Sequence, residues 1–178
     1  SVRIDEGEFI AIMGPSGSGK STLMNIIGCL DRPTEGSYTL AGSQVSKMNK
    51  AQLASARNRY LGFIFQSYNL LPRTSAIENV MLPTLYVEKG AGRNPAKRAM
   101  ELLKLVGLED RAYDSPTGMA YGLRRCLEIA RALCTGPRLV LLDEPSAGMN
   151  PQETAEIGDF IKRLIGQRGH QIAVHINV

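Results

Sequence analysis

No tryptophan occurs in this sequence, and only four phenylalanines and six tyrosines do. Aromatic platforms for stacking bases are therefore scarce, and no nucleic-acid partner is expected. The three cysteines, Cys29, Cys126 and Cys134, lack metal-ligand spacing. Their odd number fits reduced thiols better than a disulfide framework. No apolar run is long enough to span a bilayer. Early charges at Arg3, Asp5, Glu6 and Glu8 leave no N-terminal signal pattern. Neither sign of charge dominates: 21 basic and 17 acidic residues give a net +4, which reads as a solvated surface. There is no internal repeat and no low-complexity tract. At 178 residues the chain can build one sizeable core, or a core with a small subdomain.

What the sequence has is the run Gly14-Pro15-Ser16-Gly17-Ser18-Gly19-Lys20-Ser21-Thr22. It satisfies the pattern G-x-x-x-x-G-K-[ST], the signature of a phosphate-binding loop. A triphosphate is highly charged and needs donors that come close. Glycines let backbone N–H groups turn inward. The following helix adds its free N–H groups and the positive end of its dipole. Lys20 is placed to reach the β- and γ-phosphates, and the Ser21 hydroxyl to bind Mg²⁺. The setting is the required one. An apolar run from Glu8 to Met13 reads as a strand before the loop, and Thr22 to Ile27 as a helix after it.

Further along, Gly36 to Leu40 and Leu61 to Gln66 read as strands, with Lys50 to Arg59 helical between them. A helix over 75–85 is predicted, with Ser75 as N-cap and Glu78 completing a capping box. Another begins at Asn94-Pro95, stops at Gly107, and buries Ala99, Leu102, Leu103 and Val106. Gly122 to Leu133 is predicted helical, Arg138 to Leu142 a buried strand, Asn150-Pro151 a helix start, and Gln171 to Asn177 a last strand. Strands alternating with helices imply an α/β fold on a mainly parallel sheet. The stretch after Gln66 lacks strands. The expected organisation is therefore a first core part over 1–67, an inserted helical subdomain over 68–119, and a second core part over 120–178, truncated at its C-terminus.

Asp143 and Glu144 leave the end of the apolar run Leu139-Val140-Leu141-Leu142. Ligands of parallel sheets sit beyond the strands' C-terminal ends. Asp143 is thus a candidate Mg²⁺ holder, and Glu144 a candidate base for an attacking water. With the phosphate loop, these residues resemble the ATP-binding cassette (ABC) ATPases, over nearly the whole chain. Phe65-Gln66 is similar to that family's Q-loop, where the glutamine touches Mg²⁺ or the water. Ser146-Ala147-Gly148-Met149-Asn150 is similar to its D-loop. Ile129-Ala130-Arg131-Ala132-Leu133 is similar to the helix after its signature. The resemblance implies a P-loop NTPase (RecA-like) fold, ATP and Mg²⁺ as ligands, and ATP hydrolysis. It also implies a head-to-tail homodimer, transmembrane permease subunits as partners, and a peripheral place on the cytoplasmic side of the membrane. Residues 8–85 look like the lipoprotein-release and macrolide-export group. Residues from about 119 to 160 look like the branched-chain amino-acid importer group, so a chimera joined near 107–118 is one reading.

The resemblance departs from the family at three places. The signature Leu-Ser-Gly-Gly-Gln is matched by Met119-Ala120-Tyr121-Gly122-Leu123, so the serine hydroxyl is absent while Ala120 and Gly122 keep the phosphate-facing positions. The family's switch histidine is expected at Asn177, with His175 two residues early and on the same strand face. No residue of the sequence matches the upstream aromatic that stacks on adenine. Arg124 and Arg125 beside the signature are expected to meet solvent or phosphate. A nucleotide-binding module without turnover, a soluble ABC-type ATPase acting on DNA or ribosomes, and a P-loop kinase are the rival readings.

Overall fold

The protein's structure is a computed structural model that describes residues 3–5, 8–87, 94–143, 152, 155, 158–160 and 172–176, with the side chains of Phe9 and of 172–176 left aside. It divides into two compact units, one formed by residues 1–66 and 137–178, the other by 67–136.

The first unit is built on four parallel strands in the order β1-β6-β5-β4. These are β1 (Phe9–Ile12), β4 (Leu61–Ile64), β5 (Leu139–Asp143) and β6 (Ile172–Ile176). Parallel pairing of strands this far apart in sequence requires crossovers, and covered parallel strands need apolar side chains on both faces. β5 obeys: Leu139, Val140, Leu141 and Leu142 are all buried. One face packs Leu61, Leu139 and Leu141 against Met24 of α1 (Lys20–Ile27) and Leu53 of α2 (Lys50–Tyr60), with Ile12 and Phe63 beside them. Gly28 follows α1 as its C-cap, and nothing larger fits there: a Cβ would stand 2.9 Å from the Phe63 ring and from the Met24 carbonyl.

The predicted strand over 36–40 shrinks to β2 (Thr39–Leu40), paired antiparallel with β3 (Ser43–Gln44). Gly36 takes a left-handed φ of 84°, which breaks the extended run ahead of Thr39. The hairpin turns on Ala41 (φ 49°) and Gly42 (φ 80°), both left-handed. Such turns usually carry Asn-Gly or Asp-Gly, and alanine at the first position hid this one.

The second unit holds α3 (Ala76–Met81), α4 (Pro95–Leu105) and α5 (Tyr121–Ala132). The Ser75–Glu78 capping box forms as predicted. The helix is shorter than predicted: after Met81 the chain tightens into a 3-10 turn over Leu82–Tyr86, since Pro83 has no N–H to continue an α-helix. Asn94 caps α4 by accepting from the N–H groups of Ala96 and Lys97. At its far end Gly107 is left-handed, and the N–H groups of Gly107 and Leu108 return to the carbonyls of Lys104 and Leu103, a Schellman closure. One boundary differs from the sequence expectation. The helical unit runs to Gly136 instead of ending at 119, because the buried face of α5 packs on α3 and α4. The predicted helix start at Asn150-Pro151 lies outside the described residues.

Candidate functional site

The phosphate loop joins β1 to α1 at the carboxyl edge of the sheet. Gly17 (φ 77°) and Gly19 (φ 89°) occupy backbone conformations that disfavour any side chain. Gly14 is tight for a different reason: a Cβ on it would stand 2.9 Å from the Ser18 hydroxyl, which would have to turn aside. The Ser18 N–H donates to the Pro15 carbonyl at 3.2 Å, closing the loop. Pro15 through Gly19 are exposed, as are Ser21 and Thr22 in the first turn of α1. Lys20 is the exception, at 7% exposure. Its ammonium donates to the carbonyls of Gly14 at 2.6 Å and Pro15 at 2.8 Å, and lies 3.4 Å from the Ser18 hydroxyl. The loop thus wraps around one cation. Helix α1 has no side-chain N-cap, so its first N–H groups stay available to an anion.

Strand register brings the acidic residue to the same edge. Ile12 of β1 pairs with Ile176 of β6, and Ile176 with Asp143 of β5. Asp143 therefore stands in the rank where β1 hands over to the loop, two strands away, or about 10 Å at the usual strand spacing. Alternation decides its face. Asp143 shares a face with Leu139 and Leu141, and those two pack against Met24 of α1. The carboxylate thus belongs to the side of the sheet on which α1 and Ser21 lie. Burial pushes the Asp143 pKa up from the ordinary carboxylate value. No salt bridge to a described residue offsets that cost. Gln66 follows β4 at this edge, exposed, two residues past Ile64.

A Mg²⁺ ion fits this donor set. The Ser21 hydroxyl, the Gln66 amide oxygen and the Asp143 carboxylate are hard oxygen ligands, and Mg²⁺ usually takes one or two carboxylates together with waters and substrate phosphates. Among the described residues no group of three or more His, Cys, Asp or Glu could hold a metal unaided. The substrate's own phosphates would have to complete the coordination.

Ala120 and Gly122 open α5 in the helical unit. Ala120 is the N-cap and makes no side-chain cap bond. Gly122 is exposed, and a Cβ added to it would meet nothing within 4 Å. Arg125 departs from expectation. Its side chain is fully buried, 2.6 Å from Glu128, which is also fully buried. Arg131, three residues on, donates to the carbonyls of Asn69 and Tyr68. The i, i+3 spacing of Arg125, Glu128 and Arg131 was the readable signal, hidden because charges on a helix are normally solvated. Glu144, Ser146 to Asn150, His170 and Asn177 lie outside the described residues. His175 sits within β6, in register with Leu142 and Ala11, one residue short of the Asp143 rank.

Comparison with known proteins gives one answer. The family model "ABC transporter" matches residues 1–147. An uncharacterized ABC transporter ATP-binding protein of Thermotoga maritima is 48% identical over 164 residues, covering 92% of this chain and 70% of the relative. The macrolide export ATP-binding/permease protein MacB of Rhodopirellula baltica is 43% identical over 175 residues, covering 98% of this chain but only 26% of that protein. Single relatives thus run through both halves of the sequence, and a junction near 107–118 is not needed to account for them. Among solved structures, a dimeric ATP-binding cassette in a post-hydrolysis state, bound to ADP and Pi, superposes with a TM-score of 0.84 at 38% identity, covering 99% of this chain and 78% of that one.

Proposed function

The chain belongs to the ABC transporter family, and from that premise we propose that it binds Mg·ATP at the phosphate loop, hydrolyses it, and drives membrane permease subunits. The observation that carries this reading is the loop wrapped around the Lys20 ammonium at the base of an uncapped helix. On binding, the Lys20 ammonium exchanges two loop carbonyls for β- and γ-phosphate oxygens, and the N–H groups of Gly17 to Ser21 surround the same anion. The cost of rearrangement is small because the cation is already in the loop. Ser21, Gln66 and Asp143 would hold Mg²⁺, which when bound screens the phosphate charge and aligns the terminal phosphoryl group. Glu144 takes a proton from the attacking water, and Gln66 orients that water. Catalysis is otherwise positioning and electrostatics.

The rest of the assembly follows from the same reading. Two chains pair head to tail, each closing its Ala120–Gly122 helix start over the partner's nucleotide. The open space around Gly122 supports this, since no described residue needs a glycine there. The exposed Leu85 and Tyr86 support a permease contact on the helical unit. No helix of the described residues is long and apolar enough to cross a membrane, which fits a peripheral subunit on the cytoplasmic side. Of the two subgroup resemblances, the export one is favoured, because 98% of this chain aligns with a macrolide export protein.

Mg-dependent ATP turnover by the wild-type chain and by Glu144→Gln tests the reading. Turnover that falls about a hundredfold or more in the variant, with ATP still bound, supports it. Equal background release from both favours a nucleotide-binding module without turnover, a reading motivated by the missing hydroxyl at Ala120.

A further inference from the structure

Three charged side chains are buried on one face of α5 and point at one short segment. Arg131 is 9% exposed, and Arg125 and Glu128 are 0% exposed. Two nitrogens of the Arg131 guanidinium donate to successive carbonyls, Asn69 at 2.6 Å and Tyr68 at 2.8 Å. Glu128 lies between the two arginines, 2.6 Å from Arg125 and 3.6 Å from Arg131. The Arg125 guanidinium also lies 4.7 Å from the centre of the Tyr68 ring. The Tyr68 hydroxyl reaches the Tyr121 carbonyl at 3.4 Å, and the two rings meet edge to face at 5.1 Å. One helix thus grips Tyr68 by its carbonyl, its ring and its hydroxyl.

Stability alone does not call for this arrangement. Desolvating three ions is costly, and apolar side chains of the same volume often stabilise as well or better. What the ions add is direction, because a planar fork fixes two carbonyls at once where a point charge cannot. The held segment turns sharply: Asn69 sits at a left-handed φ of 48°, a conformation that asparagine tolerates better than most residues. Tyr68 follows Gln66 by two residues, and Tyr121 lies between Ala120 and Gly122.

We propose that Arg131, oriented by Glu128, is a positioning residue that locks the segment after Gln66 to the first turn of α5, so that the helix start proposed to meet the partner's nucleotide cannot move without it. The inference rests on the proposed head-to-tail pairing. Arg131→Lys in the full chain tests it, with Val106→Ala, a buried site in the same unit away from the fork, as the comparison. Arg131→Lys is expected to lower kcat between about tenfold and a hundredfold, the size of loss that a small misplacement far from the chemistry produces. Its Kd for ATP is expected to stay at the wild-type value, because the phosphate loop is untouched. Val106→Ala is expected to lower Tm and leave kcat unchanged. A wild-type kcat in fully folded Arg131→Lys overturns the proposal. So does a loss of kcat in both variants that only tracks their loss of Tm, which would make the fork a structural contact. If the wild-type chain shows no turnover, the functional reading fails instead, and amide exchange still decides the clamp. Faster exchange of 67–71 in Arg131→Lys, with α4 unchanged, upholds it; equal exchange overturns it.

Discussion

Two α-helices among the described residues begin without a side-chain cap, α1 at Gly19 and α5 at Ala120. Both leave first-turn N–H groups for an anion. Their glycines, however, answer to different constraints. Before α1, Gly17 and Gly19 adopt left-handed φ, so the fold itself demands them. At α5, Gly122 has a helical backbone, and no described residue comes within 4 Å of where its Cβ would stand. The first helix start is made by the chain's own geometry. The second carries no such demand from the described residues, and under the proposed pairing its glycine answers to the partner's nucleotide.

The charges differ too. Lys20 is drawn into the first site and held by loop carbonyls, and Asp143 stands on the same face of the sheet. The arginines near the second site are spent inward, on Glu128 and the segment after Gln66. Phosphate affinity should therefore reside almost wholly in the first. Lys20→Ala is the strongest test: ATP turnover is expected to fall about a thousandfold, the upper range for removing one preorganised donor, with Kd for ATP rising in parallel. Retained affinity would mean that α5 or the loop N–H groups alone suffice, and the comparison would break.

Asp143→Asn comes next. Turnover is expected to fall roughly a hundredfold if the carboxylate orders the metal, with little change in nucleotide affinity measured without Mg²⁺. Stability should move the other way. Burial raises the folded-state pKa of Asp143 above its unfolded value, so its favourable contribution is present below the unfolded pKa and is lost as pH rises through the folded one. At pH 7 the ionised group is a net cost in the free protein. Asp143→Asn should therefore hold or raise Tm at pH 7, and lose that advantage near pH 3. A Tm that falls at pH 7 would show that the carboxylate is already paired in the free chain.

The same contrast explains what could be read from sequence. The phosphate loop, the Ser75–Glu78 box and the Asn94 and Gly107 ends of α4 were legible because each is a local rule, with a few residues fixing the backbone they occupy. The Ala41-Gly42 hairpin was not, since alanine in a left-handed turn carries no compositional flag. The extension of the helical unit to Gly136 was also hidden. α5 looks like any amphipathic helix, and only packing decides which unit claims it. Arg125 was misread for a related reason: Glu128 is its i, i+3 neighbour on α5 itself, but its burial and its contact with Tyr68 arise only once α5 and the segment after Gln66 meet.

The smallest expected effect is the sharpest test of the comparison. Gly19→Ala places a Cβ at φ 89°, which should cost about 1–2 kcal/mol, and it turns the loop's N–H groups away from phosphate. Denaturant unfolding should show that loss, and ATP affinity should fall with it. Gly122→Ala makes the same chemical change inside a helix with open space around it. Alanine there should stabilise the chain by up to about 1 kcal/mol, or about 2–4 °C in Tm at this chain length, and leave ATP affinity alone. Turnover should nevertheless drop, because under the proposed pairing a methyl group would then stand on the face that closes over the partner's phosphates. The pair separates a glycine required by the backbone from one required by a ligand. If Gly122→Ala lowers stability as much as Gly19→Ala, both glycines serve the fold. If it leaves both stability and turnover unchanged, the start of α5 does not meet a nucleotide at all.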